Sequence, residues 1–226
     1  VIDAEIDIMR EMGVEIKCGV EVGKDITIDQ LRAEGYKAFY VAIGCQGGKK
    51  PNVVGSDAEG VTTAVDFLKV ANCGGYAVKG KTIVIGGGNV AIDAARVSIR
   101  SGAKEVAMYC LETRDIMPAS NEEIREAQED GVAINCGWGP KEVVVENGKA
   151  VAVVFKKCLS VFDENNKFNP VYDEKETQTV SCDNVIFAVG QTTVWGDLLK
   201  GSKVEFGRGN RPVADTLTYQ TAEEDI

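Results

Sequence analysis

Three consecutive glycines, Gly86, Gly87 and Gly88, stand inside KTIVIGGGNVAIDAARVSIRSGAKEVAMYCLE, which runs from Lys81 to Glu112. Residues 86–91 spell G-x-G-x-x-A, a dinucleotide-binding fingerprint whose last position admits alanine. Gly86 permits a sharp turn out of the apolar strand predicted over Thr82–Ile85. Gly88 lets the backbone come close to a pyrophosphate. Ala91 is small enough to seat the following helix, predicted over Asn89–Arg100, against that strand. The helix start at Asn89 and Val90 then offers free N–H groups and a partial positive charge to the phosphates.

A second strand is predicted over Glu105–Leu111, and Glu112 follows it, 21 positions beyond Ala91. An acid about 20 residues past the fingerprint accepts hydrogen bonds from an adenosine ribose, which selects NAD. The plainer alternative is a solvated acid at a strand end. Arg114 pulls the other way, because a guanidinium there could hold the 2′-phosphate of NADP, and the fingerprint's final alanine also occurs with NADP. Glu112 is given the greater weight, so NAD(H) is expected over NADP(H).

Other chemistries are excluded by what the chain lacks. It has no histidine among 226 residues, which removes Ser-His and Cys-His nucleophiles and imidazole metal sites. Hydride transfer needs no tuned imidazole, because the cofactors carry the reactivity. The seven cysteines are scattered, the nearest pair being Cys136 and Cys158, 22 positions apart. No CxxC pair exists, so no metal or iron–sulfur cluster is expected, and an odd, dispersed set fits reduced thiols in the cytoplasm. A net charge of −10 argues against nucleic acid and anionic membranes as partners, and no apolar run reaches membrane-spanning length.

The elements that must position the glycines follow an alternating order. Helices are predicted at residues 3–12, after Thr27, at Ala64–Asn72 and at Asn121–Glu129. Strands are predicted at Val14–Val22, at Lys37–Gly44 as a buried strand, at Val132–Cys136, Glu142–Val145, Val151–Phe155 and Asn184–Val189. Gly74, Gly75 and Gly80 mark a linker, and Glu164–Pro170 reads as a turn between two longer strands. Strand–helix–strand order with short connections predicts an α/β, Rossmann-like fold with a parallel sheet, followed by a run of strands.

VIGGGNVAIDAAR at residues 84–96, with GAKEV and MPASNEEIREAQEDGV after it, resembles the nicotinamide-binding domain of the glutamate synthase small (beta) subunit. Similar modules occur in the amino-terminal half of dihydropyrimidine dehydrogenase. The resemblance covers nearly the whole chain and implies a two-dinucleotide-binding-domain flavoprotein oxidoreductase, an enzyme passing hydride from NAD(P)H to FAD. By the same resemblance, residues 79–190 form the inserted nicotinamide domain, and residues 1–78 and 191–226 are parts of the FAD domain. Ala42–Gly44 would lie near FAD, with Gly44 at the strand end, and Gly190 and Gln191, in VIFAVGQT, would approach the nicotinamide. Family members carry an Arg-Arg pair after the second strand for the NADP 2′-phosphate; here Cys110 and Leu111 take those positions, in accord with Glu112.

The family's first FAD fingerprint and its cysteine-rich iron–sulfur domain have no counterpart before Val1, and its Gly-Asp FAD motif none by Ile226. The chain is therefore expected to be an incomplete part of a longer flavoprotein, inactive alone, with FAD bound only in the intact parent. Glutamate synthase large subunit or another iron–sulfur electron acceptor is the implied partner, alongside the rest of the FAD domain. Two alternatives remain at this stage: a non-catalytic nucleotide-sensing or partner-docking module, and a free-standing dehydrogenase, for which no substrate acid–base constellation is found.

Overall fold

The computed structural model describes residues 1–74 and 77–226. Gly75, one of the linker glycines, lies outside the described residues. The chain forms two compact units, one of residues 45–192 and one of residues 1–44 with 193–226.

In chain order the helices are α1 (Ile2–Glu11), α2 (Ile28–Ala33), α3 (Ala64–Asn72), α4 (Asn89–Arg100) and α5 (Asn121–Glu129). The strands are β1 (Gly47–Gly48), β2 (Val61–Thr63), β3 (Lys81–Ile85), β4 (Glu105–Cys110), β5 (Ala133–Cys136), β6 (Trp138–Glu146), β7 (Lys149–Phe162), β8 (Phe168–Ser181), β9 (Asn184–Phe187) and β10 (Gln191–Thr192).

The 45–192 unit is built on a five-stranded parallel sheet in the order β2-β9-β3-β4-β5. Its central strands β9, β3 and β4 are mostly apolar past their first residues because both faces are covered. Along β3, Val84 points to the helical side, into a cluster with Ile92, Ala95, Met108, Ile124 and Ile186. Its neighbours Ile83 and Ile85 point the other way, to Tyr109, Val153, Phe155 and Phe187. That second face is covered by the antiparallel sheet β6-β7-β8. The Phe155 ring stacks on Tyr109 with centroids 4.1 Å apart, joining the two sheets.

Caps set the helix starts. Thr63 accepts a hydrogen bond from the Asp66 N–H at the head of α3, and Ser120 accepts one from the Glu123 N–H at the head of α5. α2 opens with a full capping box between Thr27 and Gln30. The grouping of residues 45–78 with the central unit has a direct cause. β2 pairs in register with β9, Val61 opposite Val185, and Phe67 of α3 is buried in the helical-side cluster.

Two strand expectations in the other unit fail. Residues 14–20 form no strand, and only an isolated bridge joins Val22 to Ile26. Residues 37–44, expected as a buried strand, are unassigned coil with Tyr40 90% exposed. A strand needs a ladder partner; here the Phe39 N–H donates to the Asp225 carbonyl instead, at 2.7 Å. The expected Glu164–Pro170 turn is shorter than read, because β8 already begins at Phe168.

Candidate functional site

The three glycines stand in three different environments. Gly86 has φ +146°, and a Cβ there would lie 2.5 Å from the Ala188 carbonyl oxygen, so the turn passes hard against the segment leaving β9. A Cβ on Gly87 would lie 2.8 Å from Glu112 Oε2 and 3.0 Å from the Cys110 Cβ. Gly88 is the N-cap of α4 with an ordinary φ of −94°, and a Cβ there would meet no protein atom within 4 Å. Gly88 thus has space beside it that protein does not fill. Ala91 is fully buried behind the turn, where helix meets strand.

The turn is held from outside. The Gly86 N–H donates to the Tyr109 carbonyl at 2.9 Å, and the Ala119 N–H donates to the Gly87 carbonyl at 3.0 Å. The Asn89 side-chain oxygen accepts from the Ser120 N–H at 3.0 Å, so the residue that starts α4 also ties down the loop entering α5.

Around the turn lies a cavity of about 810 Å³, within the usual range for small-molecule and cofactor sites. It runs along the carboxyl ends of the parallel strands, where α/β sheets bind ligands. Gly86–Val90 form one side, Tyr109–Glu112 the β4 end, and Phe187–Gln191 the β9 end. Gly190 has φ +114°, and its carbonyl accepts from the Lys49 N–H at 3.0 Å. The cavity therefore gathers Gly86, Gly87, Gly88, Asn89, Val90, Glu112, Gly190 and Gln191. Ala91 supports it from beneath. Arg114 does not line it: this residue opens a 3-10 turn, and its guanidinium donates to the Asn121 side-chain oxygen at 3.3 Å. Gly44 belongs to the other compact unit.

Cys110 sits under the turn, its Sγ 3.8 Å from that of Cys136. Burial, and then the neighbouring Cys136 thiol, push the Cys110 thiol well up. It stays protonated at neutral pH and adds no negative charge beneath the glycine turn. Among the described residues no group of three His, Cys, Asp or Glu side chains is gathered as a metal site would need, and no helix is long and apolar enough to cross a membrane.

The opposite wall was missed by sequence reasoning. Trp138, Pro140 and Lys156 line the cavity from β6 and β7, and Phe168, Pro170 and Tyr172 line it from β8. The signal was the recurrence of ring-bearing residues at Phe168, Pro170 and Tyr172, all of which border the cavity. Lys156 Nζ lies 4.1 Å from the Tyr172 ring centroid and 2.6 Å from Glu174 Oε1.

A turn of this geometry, with an acid over it and a helix start beside it, fits a dinucleotide phosphate. Residues 4–226 match the family described as pyridine nucleotide-disulphide oxidoreductase. The chain is 32% identical over 228 residues to the NADP(+)-dependent formate dehydrogenase subunit beta of Moorella thermoacetica, covering 98% of this chain and 32% of that one. It is 30% identical to the glutamate synthase [NADPH] small chain of Halomonas elongata, over 97% of this chain and 49% of that one. With the NAD-dependent dihydropyrimidine dehydrogenase subunit PreT of Escherichia coli O157:H7 it shares 34% identity, over 100% and 48%. The chain thus spans between about a third and a half of the length of these relatives. Among solved structures, Mycobacterium tuberculosis FprA in complex with NADPH shares the fold, with a TM-score of 0.69 at 18% identity over 83% of this chain and 56% of that one. With a family match over residues 4–226 that takes in both the fingerprint and the parallel sheet, the chain belongs to the pyridine nucleotide-disulphide oxidoreductase family.

Proposed function

We propose that the 45–192 unit binds a nicotinamide dinucleotide, with NAD(H) preferred over NADP(H). Its pyrophosphate lies at Gly86–Ala91, its adenosine ribose on Glu112, and its nicotinamide end near Gly190 and Gln191. The observation that carries this reading is the empty position beside Gly88 at the start of α4, in the cavity that also holds the Glu112 carboxylate. In the longer protein, residues 1–44 and 193–226 contribute to an FAD domain, and the bound dinucleotide supplies the hydride that FAD accepts. Electrons then leave for an iron–sulfur partner such as a glutamate synthase large subunit, in the cytoplasm.

The chain's own residues do no acid–base work in this scheme. The α4 N-terminus holds the phosphates, Glu112 fixes the ribose, and the rigid β9 exit sets where the nicotinamide can stand. Rate comes from alignment of the two rings. The relatives' names include both NADPH-dependent and NAD-dependent enzymes, so the preference for NAD(H) rests on Glu112 and on Cys110 and Leu111 standing where an arginine pair would. By itself this chain binds nucleotide without passing electrons.

Calorimetric titration of the purified chain with NADH and NADPH tests the reading. Saturable one-to-one binding, tighter for NADH, is expected. No binding of either nucleotide would overturn it.

A further inference from the structure

We propose that Phe168, Pro170 and Tyr172 form a shelf on which the adenine base of the dinucleotide stacks. This subsite rests on the nucleotide reading above and adds to it a surface that the fingerprint does not supply.

Three observations carry it. The first is the row itself: Phe168, Pro170 and Tyr172 follow one another along β8, across two register shifts against β7 between Cys158 and Phe162, and all three border the cavity. Phe168 is 65% exposed although its ring is large and apolar, and it touches Phe162 only edge-on, with centroids 6.3 Å apart. Its face is left for a planar partner.

The second is position. Tyr172 Cε1 and Leu111 Cδ2 converge on Gly139, at 2.6 and 2.8 Å from where a Cβ would be. Leu111 directly precedes Glu112, so the Tyr172 end of the row adjoins the acid that takes the adenosine ribose. A base attached to that ribose reaches this wall, whereas the nicotinamide end, at Gly190, belongs to the β9 side of the cavity.

The third is the device that aims the row. In the β7–β8 pairing Lys156 stands opposite Thr177, but the next residue, Lys157, stands opposite Asp173. Glu174, Lys175 and Glu176 are extra on β8 at that point. Such a bulge bends a strand and re-aims the side chains beyond it. Lys156 pins the bulge through Glu174, at 2.6 Å. All three shelf residues lie on the distal side of it.

A purine stacks on an aromatic face without base-specific hydrogen bonds. The test uses Phe168→Ala and Phe168→Trp in the whole chain, titrated with NADH and with ADP-ribose, which has the adenine but no nicotinamide. Val171→Ala, on the same strand but not bordering the cavity, is the control. Phe168→Ala is expected to weaken both ligands by roughly tenfold, with Phe168→Trp at or near the parent affinity, Val171→Ala unchanged and all thermal midpoints preserved. Unchanged ADP-ribose binding in Phe168→Ala overturns the proposal. If NADH alone is then weakened, the shelf carries nicotinamide instead. Equal losses in Val171→Ala also overturn it, by showing a general distortion of the hairpin. If the parent chain binds neither ligand, the nucleotide reading fails first and the shelf with it. If the parent binds both and Phe168→Ala changes nothing, the shelf alone fails.

Discussion

Glu112 and Gly87 face each other across the glycine turn: Glu112 Oε2 lies 2.8 Å from the point a Cβ on Gly87 would occupy. The carboxylate leaves the end of β4 and returns over the turn at the end of β3, two strands that pair in register from Lys81 opposite Glu105 to Ile85 opposite Tyr109. Its position is set by the sheet, so Glu112 and the glycine turn are held together by the β3–β4 pairing.

On the proposed reading, that relationship sets nucleotide choice. A 2′-phosphate on the ribose would be brought against the Glu112 carboxylate, at a cost of about 1–3 kcal/mol after screening. NADH is therefore expected to bind roughly tenfold to a hundredfold more tightly than NADPH. In Glu112→Gln the gap should shrink, mainly through tighter NADPH binding. Titration of both nucleotides into both proteins measures it, and a parent chain that prefers NADPH would refute the assignment.

The stack of Phe155 on Tyr109 should dominate the cohesion of the parallel sheet and its antiparallel cover. Phe155 is fully buried, so Phe155→Ala removes a large ring from a closed core and should cost about 3–5 kcal/mol. Urea unfolding followed by far-ultraviolet circular dichroism gives the number. A loss below 1 kcal/mol would mean that the two sheets are not packed as described.

Stability should fall on the alkaline side. Burial, then the nearby Asp183 charge, push the Cys182 thiol up to about 11 from 9.0. The folded chain keeps this proton where the unfolded chain releases it, so the stabilisation is intact below pH 9 and is lost as pH rises from there toward about 11. Cys110 and Cys158 are shifted in the same direction. The thermal midpoint is expected to decline from pH 9 to 10.5, and Cys182→Ala should decline less steeply. Equal slopes in the two proteins would contradict the assignment to Cys182.

Where the sequence carried its own local cause, the elements could be read from it. α3, α4 and α5 match their expected bounds because Thr63, Gly88 and Ser120 stop extended chain at their starts. β3 and β9 were visible as apolar runs because both their faces are buried. Long-range partners were not legible. KAFYVAIG has the composition of a buried strand, yet pairs with no strand among the described residues. β2, only three residues long, gains its place from β9, more than 120 positions away. In the site, the turn and its acid followed from spacing alone. The β8 wall did not, because Phe168 and Pro170 sit where the turn signals of Asn165 and Asn166 mask the strand, and the three extra residues of the bulge break its register. Arg114, two positions from Glu112, is turned away by a 3-10 turn that spacing does not reveal.

The glycines give the most direct test, because the structure separates their roles. Gly86→Ala would force a Cβ against the Ala188 carbonyl at a positive φ and should lower stability by about 1–3 kcal/mol. Gly88→Val meets no protein atom at its Cβ and has an ordinary φ, so the fold should keep its parent thermal midpoint to within a few degrees. The decisive measurement is calorimetric titration of Gly88→Val with NADH beside the parent chain. Loss of detectable binding with an unchanged midpoint is the result expected if the pyrophosphate lies against Gly88; parent-like affinity in a folded Gly88→Val protein would contradict it.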